Sequence, residues 1–295
     1  MEYTTFGKTG RKVSRIGFGG AVTGLKNYLE KYDPSDEAAF KGVVEAIQKA
    51  LELGITYFDT AASYGSRASP DGPSDRMSEK IYGEGLKGVK PESIFLATKF
   101  SGLARDEVFR SVEESLKWLH RDYVDLIQIH GSSYTNDDIN KILGPGGTLE
   151  AMEELKRQGL TRYIGFTTED NNDNMYRLIQ SGRFDSIQMC YNFIFQHGYE
   201  PSRPFGSLLE AKKYGLATAT MRTTTSGTFQ RWIQMVNPAN TFDYSRALIQ
   251  FVLSNPYVDV ALVGMRTKEL VIDNVKIADD LKGRIKLDEV HKRYV

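Results

Sequence analysis

The chain has 295 residues, of which 40% are hydrophobic, so it can bury a large core and has the usual length of one α/β barrel domain spanning residues 1–295. Its 38 basic and 38 acidic residues cancel in charge, which argues against a nucleic-acid partner. No run approaches the roughly 20 apolar residues of a membrane span, and the first residues show no apolar export segment, so we expect a cytoplasmic protein.

Apolar strands and amphipathic helices alternate along the whole chain. A strand over 12–20 is followed by a helix over 38–54, whose Phe40, Val43 and Ile47 share one face. The further strand and helix pairs are 55–58 with 77–88, 93–99 with 106–120, 123–130 with 148–158, 161–167 with 172–181, 184–192 with 206–214, 216–221 with 244–254, and 258–264 with 268–280. The sequence therefore predicts eight strand–helix units.

Eight such units with largely apolar strands favour a (β/α)8 TIM barrel, because parallel strands are buried on both faces. A doubly wound open sheet is the alternative, but the glycine-rich turn at 17–24 resembles its phosphate-binding fingerprint only loosely. Irregular stretches at 24–36, 65–75, 131–147 and 222–241 mostly follow strands. They should gather at the carboxyl end of the barrel, where such folds place their sites.

Several strands end in polar side chains instead of apolar ones. Asp59, Lys99 and His130 end strands two, three and four, Gln188 lies near the end of strand six, and Tyr64 follows Asp59 closely. Each residue alone has a structural explanation, such as a turn cap or a buried ion pair. Together, at matched depth on neighbouring strands, they predict an active site.

The chemistry of this set points to proton donation. A buried lysine and aspartate must pair, and the ammonium of Lys99 should lower the pKa of Tyr64 toward the range of a general acid. A neutral His130 would orient a substrate oxygen. The chain shows no glycosidase carboxylate pair and no zinc-ligand spacing. Its single cysteine, Cys190, is expected to be a small buried hydrophobe. The missing attacking group is then most simply a hydride from a cofactor.

Motifs along the chain resemble the aldo-keto reductase family. They are "FDTAASYG" at 58–65, "ATK" at 97–99, "VDLIQIH" at 124–130, "IGFTT" at 164–168, "IQMCYN" at 187–192 and "VALVGMRTKELVIDN" at 260–274. The opening "YTTFGKTGRKVSRIGFGG" is also similar to the start of that family, where a β-hairpin closes the barrel bottom. The resemblance implies reduction of a small carbonyl compound, with Tyr64 as the acid, Asp59 and Lys99 tuning it, and His130 orienting the carbonyl.

The same resemblance implies a nicotinamide cofactor, NADP(H) before NAD(H). Arg266 matches an arginine placed against the 2′-phosphate of NADP, and Asn274 matches an adenine contact. Thr167 and Gln188 should hold the carboxamide, whereas Met221 stands where relatives often place an aromatic ring. The remaining expected cofactor contacts are Gly20, Thr168, Arg222, Ser226, Gly227, Thr228, Gly264, Met265 and Thr267.

Two other functions stay open at this level. Lys99 would serve a Schiff-base aldolase if its amine were neutral, which a close Asp59 opposes. A redox-sensing subunit would bind NADPH without turnover. Phe229 and Trp232 either line an apolar substrate wall or pack their loop against the barrel, and the sequence does not decide between these two arrangements.

Overall fold

An antiparallel hairpin precedes the barrel in the computed structural model, which describes residues 1–66, 74–199, 206–287 and 289. Its strands are β1 (Tyr3–Thr5) and β2 (Lys12–Ser14), and Tyr3 pairs with Ser14. Between them, Phe6 is fully buried, with its ring edge on the rings of Tyr57 and Phe95 at centroid distances of 5.2 and 5.0 Å. Tyr57 and Phe95 open their strands, so the hairpin closes the amino-terminal end of the barrel, as predicted.

Eight parallel strands form a closed barrel. In chain order they are β3 (Ile16–Gly19), β4 (Tyr57–Asp59), β5 (Phe95–Phe100), β6 (Val124–Ile129), β7 (Thr161–Thr168), β8 (Ser186–Cys190), β9 (Ala217–Met221) and β10 (Val260–Gly264). Each strand pairs with its sequence neighbours, and β10 closes the ring on β3. The (β/α)8 prediction is confirmed.

Helices surround these strands. They are α1 (Ala21–Gly24), α2 (Glu37–Glu52), α3 (Met77–Gly85), α4 (Arg105–Leu119), α5 (Asn136–Leu143), α6 (Thr148–Arg157), α7 (Asp173–Gln180), α8 (Ser207–Lys213), α9 (Thr228–Val236), α10 (Ser245–Leu253) and α11 (Lys268–Asp279). Helix α2 illustrates the pattern, because Val43, Ile47 and Ala50 are buried on one face and the Asp36 side chain caps its first turn.

The structure differs from the predicted elements over residues 12–20 and in two of the predicted irregular stretches. The strand predicted over 12–20 divides into β2, which belongs to the hairpin, and β3, which belongs to the barrel. The predicted irregular stretches 131–147 and 222–241 contain helices α5 and α9. Most of the stretch 65–75, namely residues 67–73, lies outside the described residues.

Cys190 is buried, as predicted, and burial raises the pKa of its thiol to about 11. A thiol in this state is protonated and inert at neutral pH. Within the described part of the chain, no helix is both long enough and apolar enough to cross a membrane.

Candidate active site

The carboxyl ends of β4, β5 and β6 bring three of the predicted residues together. Asp59 is the last residue of β4, Lys99 is next to last in β5, and His130 directly follows β6. Because these strands are neighbours in the ring, their ends lie at one side of the same mouth.

Lys99 and Asp59 form a buried ion pair below the mouth. The Lys99 Nζ donates to Asp59 Oδ2 at 2.5 Å and to the Thr60 carbonyl oxygen at 2.8 Å, and the Gln128 Nε2 lies 3.4 Å from Asp59 Oδ1. Burial lowers the pKa of Lys99 and raises that of Asp59, and their mutual contact opposes both shifts. These contacts hold Lys99 as an ammonium, which is the opposite of the free amine that imine formation requires.

Tyr64 lies beside this pair on the loop after β4. The Lys99 Nζ is 5.1 Å from the centroid of the Tyr64 ring, and the Tyr64 and His130 rings meet edge to face at 5.4 Å. The N–H of Ser78, at the start of α3, donates to the Tyr64 carbonyl at 2.9 Å and fixes this part of the loop.

The expected lowering of the Tyr64 pKa is wrong for this structure. Burial raises the pKa of the phenol well above 10, and the negative charge of Asp59 adds to the rise. The Lys99 ammonium that lies near the ring is itself in direct contact with Asp59. Tyr64 therefore keeps its proton at neutral pH, as a proton donor must.

His130 is held neutral. Burial, together with the charge of Lys99, lowers its pKa from 6.5 to about 3. Its Nδ1 lies 2.9 Å from the Ser63 hydroxyl oxygen, so one ring nitrogen is already hydrogen-bonded within the protein. The other ring nitrogen is left for a ligand in the mouth.

A cavity of about 420 Å³ opens above these residues. Among the predicted residues, those that line it are Gly20, Asp59, Tyr64, His130, Thr167, Gln188, Met221, Arg222, Ser226 and Gly264. Residues that the sequence prediction missed also line it, including Tyr28, Leu29, Ser63, Ser101 and Glu169. The cavity therefore joins the proton-donor side of the mouth to the ends of β8, β9 and β10.

The Gln188 amide connects the two sides of the mouth. Its Oε1 accepts a hydrogen bond from Gln128 at 3.1 Å, and its Nε2 approaches the Met221 sulfur at 3.8 Å. The Oε1 of Gln128 itself is buried without a partner among the described residues. These amides fit a polar ligand above β6 and β8.

Several residues that were predicted to contact the cofactor make hydrogen bonds or close contacts within the protein. The Thr167 hydroxyl bonds to the backbone of Gly131, which holds the turn after His130. Thr168 is fully buried and directs its hydroxyl to Ser132 and Asp170. Gly20 approaches the Asp59 carbonyl so closely that a Cβ there would lie 2.7 Å from that oxygen, so close packing also requires this glycine.

The loop after β9 makes a left-handed turn. Thr225, Ser226 and Gly227 have φ angles of 58°, 51° and 71°, a conformation that is rare for residues other than glycine. Thr228 then starts α9, and the Thr225 hydroxyl accepts the N–H of Phe229 in the first turn of this helix at 3.1 Å. Arg222 bonds to Glu169 at 2.6 Å across the cavity wall.

The start of α11 lies beyond the cavity. Thr267 caps this helix by accepting the Leu270 N–H, and the Met265 side chain is fully buried. Arg266 bonds to Glu30, and Asn274 is buried on the helix. None of these four residues lines the cavity.

Phe229 and Trp232 also lie outside the cavity lining. Phe229 packs edge to face against Phe193 and Tyr244, and Trp232 is 52% exposed. Phe229 therefore packs its loop and does not line a substrate wall, which is one of the two arrangements that the sequence allowed. The structure does not bring either side chain to the ion pair.

The described residues contain no group of three or more His, Cys, Asp or Glu side chains that could hold a metal ion. The site instead offers a protonated phenol, a neutral imidazole and a fixed ammonium. Such a set can polarise and protonate one substrate oxygen.

Comparison with known proteins identifies the family of the chain. The model of the aldo/keto reductase family matches residues 15–248. The L-galactose dehydrogenase of Arabidopsis thaliana is 31% identical over 175 residues, which cover 57% of this chain but only 48% of that protein. The aldo-keto reductase YhdN of Bacillus subtilis is 28% identical, and the match covers 90% of this chain and 85% of that protein.

Solved structures share the fold. The holo form of aldo-keto reductase AKR11C1 from Bacillus halodurans superposes with a TM-score of 0.75 at 22% identity, covering 99% of this chain and 94% of that one. An aldo-keto reductase from Klebsiella pneumoniae, solved in complex with NADPH, superposes with a TM-score of 0.72 at 22% identity and the same coverage.

Proposed function

The chain belongs to the aldo/keto reductase family, and from this premise we propose that it reduces an aldehyde or ketone to an alcohol, with NADP(H) as cofactor and Tyr64 as proton donor. The observation that carries the proposal is the convergence of Tyr64, His130 and Asp59, the ion-pair partner of Lys99, on one cavity. The substrate is a small carbonyl compound, in keeping with the size of that cavity.

Each side chain has a separate task. His130, neutral because of its lowered pKa, donates a hydrogen bond to the carbonyl oxygen and fixes its position. Tyr64 transfers its phenolic proton to that oxygen as negative charge develops there. The Lys99 ammonium, held by Asp59, stabilises the phenolate that remains. NADPH, when bound, supplies the hydride that reduces the carbonyl carbon.

The chain's own residues fit such a cofactor. Gln188 offers amide groups to a carboxamide at the end of β8, and Met221 offers a polarisable side chain to a flat ring. The left-handed turn before α9 and the amino-terminal end of that helix suit a phosphate group. The Klebsiella pneumoniae relative, which binds NADPH with the same fold, supports this assignment.

The experiment is a Tyr64→Phe substitution. We expect the purified wild-type protein to oxidise NADPH with aldehydes and ketones from a mixed panel, and the variant to lose roughly 10²–10⁴-fold in turnover, as loss of a general acid predicts. NADPH affinity should change little, because the lost hydroxyl acts on the substrate.

Tyr214→Phe provides a matched control, since Tyr214 is an exposed tyrosine at the end of α8. It should retain wild-type turnover. Near-normal turnover of Tyr64→Phe would show that another group donates the proton. Wild-type protein that binds NADPH but reduces no carbonyl would favour the redox-sensing alternative.

A further inference from the structure

Arg266 is already occupied by groups of a distant loop. Its guanidinium bonds to the carboxylate of Glu30 and lies over the ring of Tyr32, 4.2 Å from the ring centroid. The Arg266 side chain is 15% exposed, whereas that of Glu30 is 69% exposed. The cation is therefore partly enclosed, and its carboxylate partner can turn away into solvent.

This loop has its own internal structure. Asn27 and Tyr32 are joined by two hydrogen bonds of 2.9 Å, and Lys26 pairs with Asp33 at 2.5 Å. The Tyr32 hydroxyl donates to the Thr23 carbonyl at 3.1 Å. Glu30 thus lies at the tip of a closed turn that holds it next to Arg266.

Arg266 and Glu30 favour different nicotinamide cofactors. A guanidinium stabilises the 2′-phosphate of NADPH, whereas a carboxylate at that position repels the phosphate and accepts hydrogen bonds from the ribose hydroxyls of NADH. NADPH has to displace Glu30 from Arg266 or keep its phosphate beside a negative charge.

We propose that Glu30 is a specificity-determining residue, which competes with the 2′-phosphate for Arg266 and so narrows the preference for NADPH over NADH. This inference rests on the proposed function and on the family resemblance, which implies that Arg266 faces the 2′-phosphate of the cofactor. It predicts that removing the negative charge of Glu30 strengthens the binding of NADPH.

The test measures the dissociation constants of NADPH and NADH by calorimetry for the wild type, Glu30→Gln, Arg266→Ala and the double variant. We expect Glu30→Gln to bind NADPH about twofold to tenfold more tightly, the effect of removing one partly screened like charge. NADH should bind unchanged or more weakly. The gain should shrink at high salt, because exposed charges are screened.

Asp33→Asn is the matched control, because it breaks an ion pair of the same loop without touching Arg266. An equal gain in NADPH affinity from Asp33→Asn would mean that loop opening, not the charge of Glu30, controls binding, and would overturn the proposal. The same gain from Glu30→Gln in the Arg266→Ala background would also overturn it. Wild-type protein that binds neither cofactor would instead refute the proposed function itself.

Discussion

At the residue scale, the Ser63 hydroxyl determines which ring nitrogen of His130 can donate a hydrogen bond to a substrate. A neutral imidazole has one N–H donor and one acceptor nitrogen, and Nδ1 faces the Ser63 hydroxyl at 2.9 Å. If Ser63 donates to Nδ1, the proton of the ring resides on Nε2. That tautomer can donate a hydrogen bond to a carbonyl oxygen in the cavity, and the opposite tautomer cannot.

We therefore expect Ser63→Ala to reduce kcat/KM for carbonyl reduction about threefold to tenfold, the usual effect of one hydrogen bond. The decisive measurement is the ¹⁵N shift of the ring nitrogens, which distinguishes the two tautomers without any turnover. Wild-type His130 should carry its proton on Nε2, and the variant should show a mixture.

Ser63→Thr keeps the hydroxyl group and should restore both the tautomer and the rate. A wild-type spectrum with the proton on Nδ1 would contradict this assignment. So would an unchanged spectrum in Ser63→Ala, because the tautomer would then be fixed by another contact.

Sequence reasoning reached some of these residues and missed others for physical reasons. Asp59, Lys99 and His130 could be predicted because a polar residue at the end of a buried strand is conspicuous. The contact of Ser63 with His130 depends on how a loop folds. The pKa of Tyr64 depends on how deeply the phenol is buried and on the charges around it. Neither property can be deduced from the spacing of residues in the sequence.

At the element scale, the hairpin acts as the plug of the barrel. Phe6 is fully buried among rings that open β4 and β5, and it reaches the end of the barrel opposite the cavity. We expect Phe6→Ala to lower the free energy of unfolding by about 3–5 kcal/mol, the range for a buried phenylalanine that leaves a cavity. Urea unfolding measures this loss.

Catalysis in Phe6→Ala should be preserved under conditions in which the variant stays folded, because the plug and the site occupy opposite ends. Phe242→Ala, at an exposed phenylalanine, is the control and should change stability little. A loss below about 1 kcal/mol for Phe6→Ala would show that the barrel end collapses around the missing ring.

Helices α5 and α9 show what element prediction can overlook. Thr135, just before α5, forms a capping box with Asp138, the third residue of the helix, and Ile139 and Ile142 of the helix are buried. This pattern was present in the sequence and could have predicted the helix. Helix α9 has apolar residues at helical spacing, but none of its residues is buried. An apolar face that is not buried in the core is a weak basis for predicting a helix.

At the scale of the whole molecule, closure of the barrel could be predicted, whereas contacts across it could not. Eight repeated units require a ring or an open sheet, and the weak glycine motif favoured the ring. The pair of Glu30 with Arg266 joins residues 236 positions apart through the closing seam of β3 and β10. No local pattern encodes such a pair. The assignment of residues 1–295 to one domain stays a prediction.

The last prediction concerns the effect of cofactor binding on the stability of the whole barrel. A cofactor that contacts the ends of β8, β9 and β10 binds the closed barrel and not the unfolded chain, so it must stabilise the fold. At a hundredfold excess over its dissociation constant, NADPH should add about 2.7 kcal/mol, or roughly 4–5 °C in melting temperature. Differential scanning calorimetry with increasing NADPH measures the shift. Tyr64→Phe should show the same shift as the wild type, because its phenol acts on the substrate. A melting temperature that stays constant up to millimolar NADPH would show that the cavity is not a cofactor site, whatever its resemblance to one.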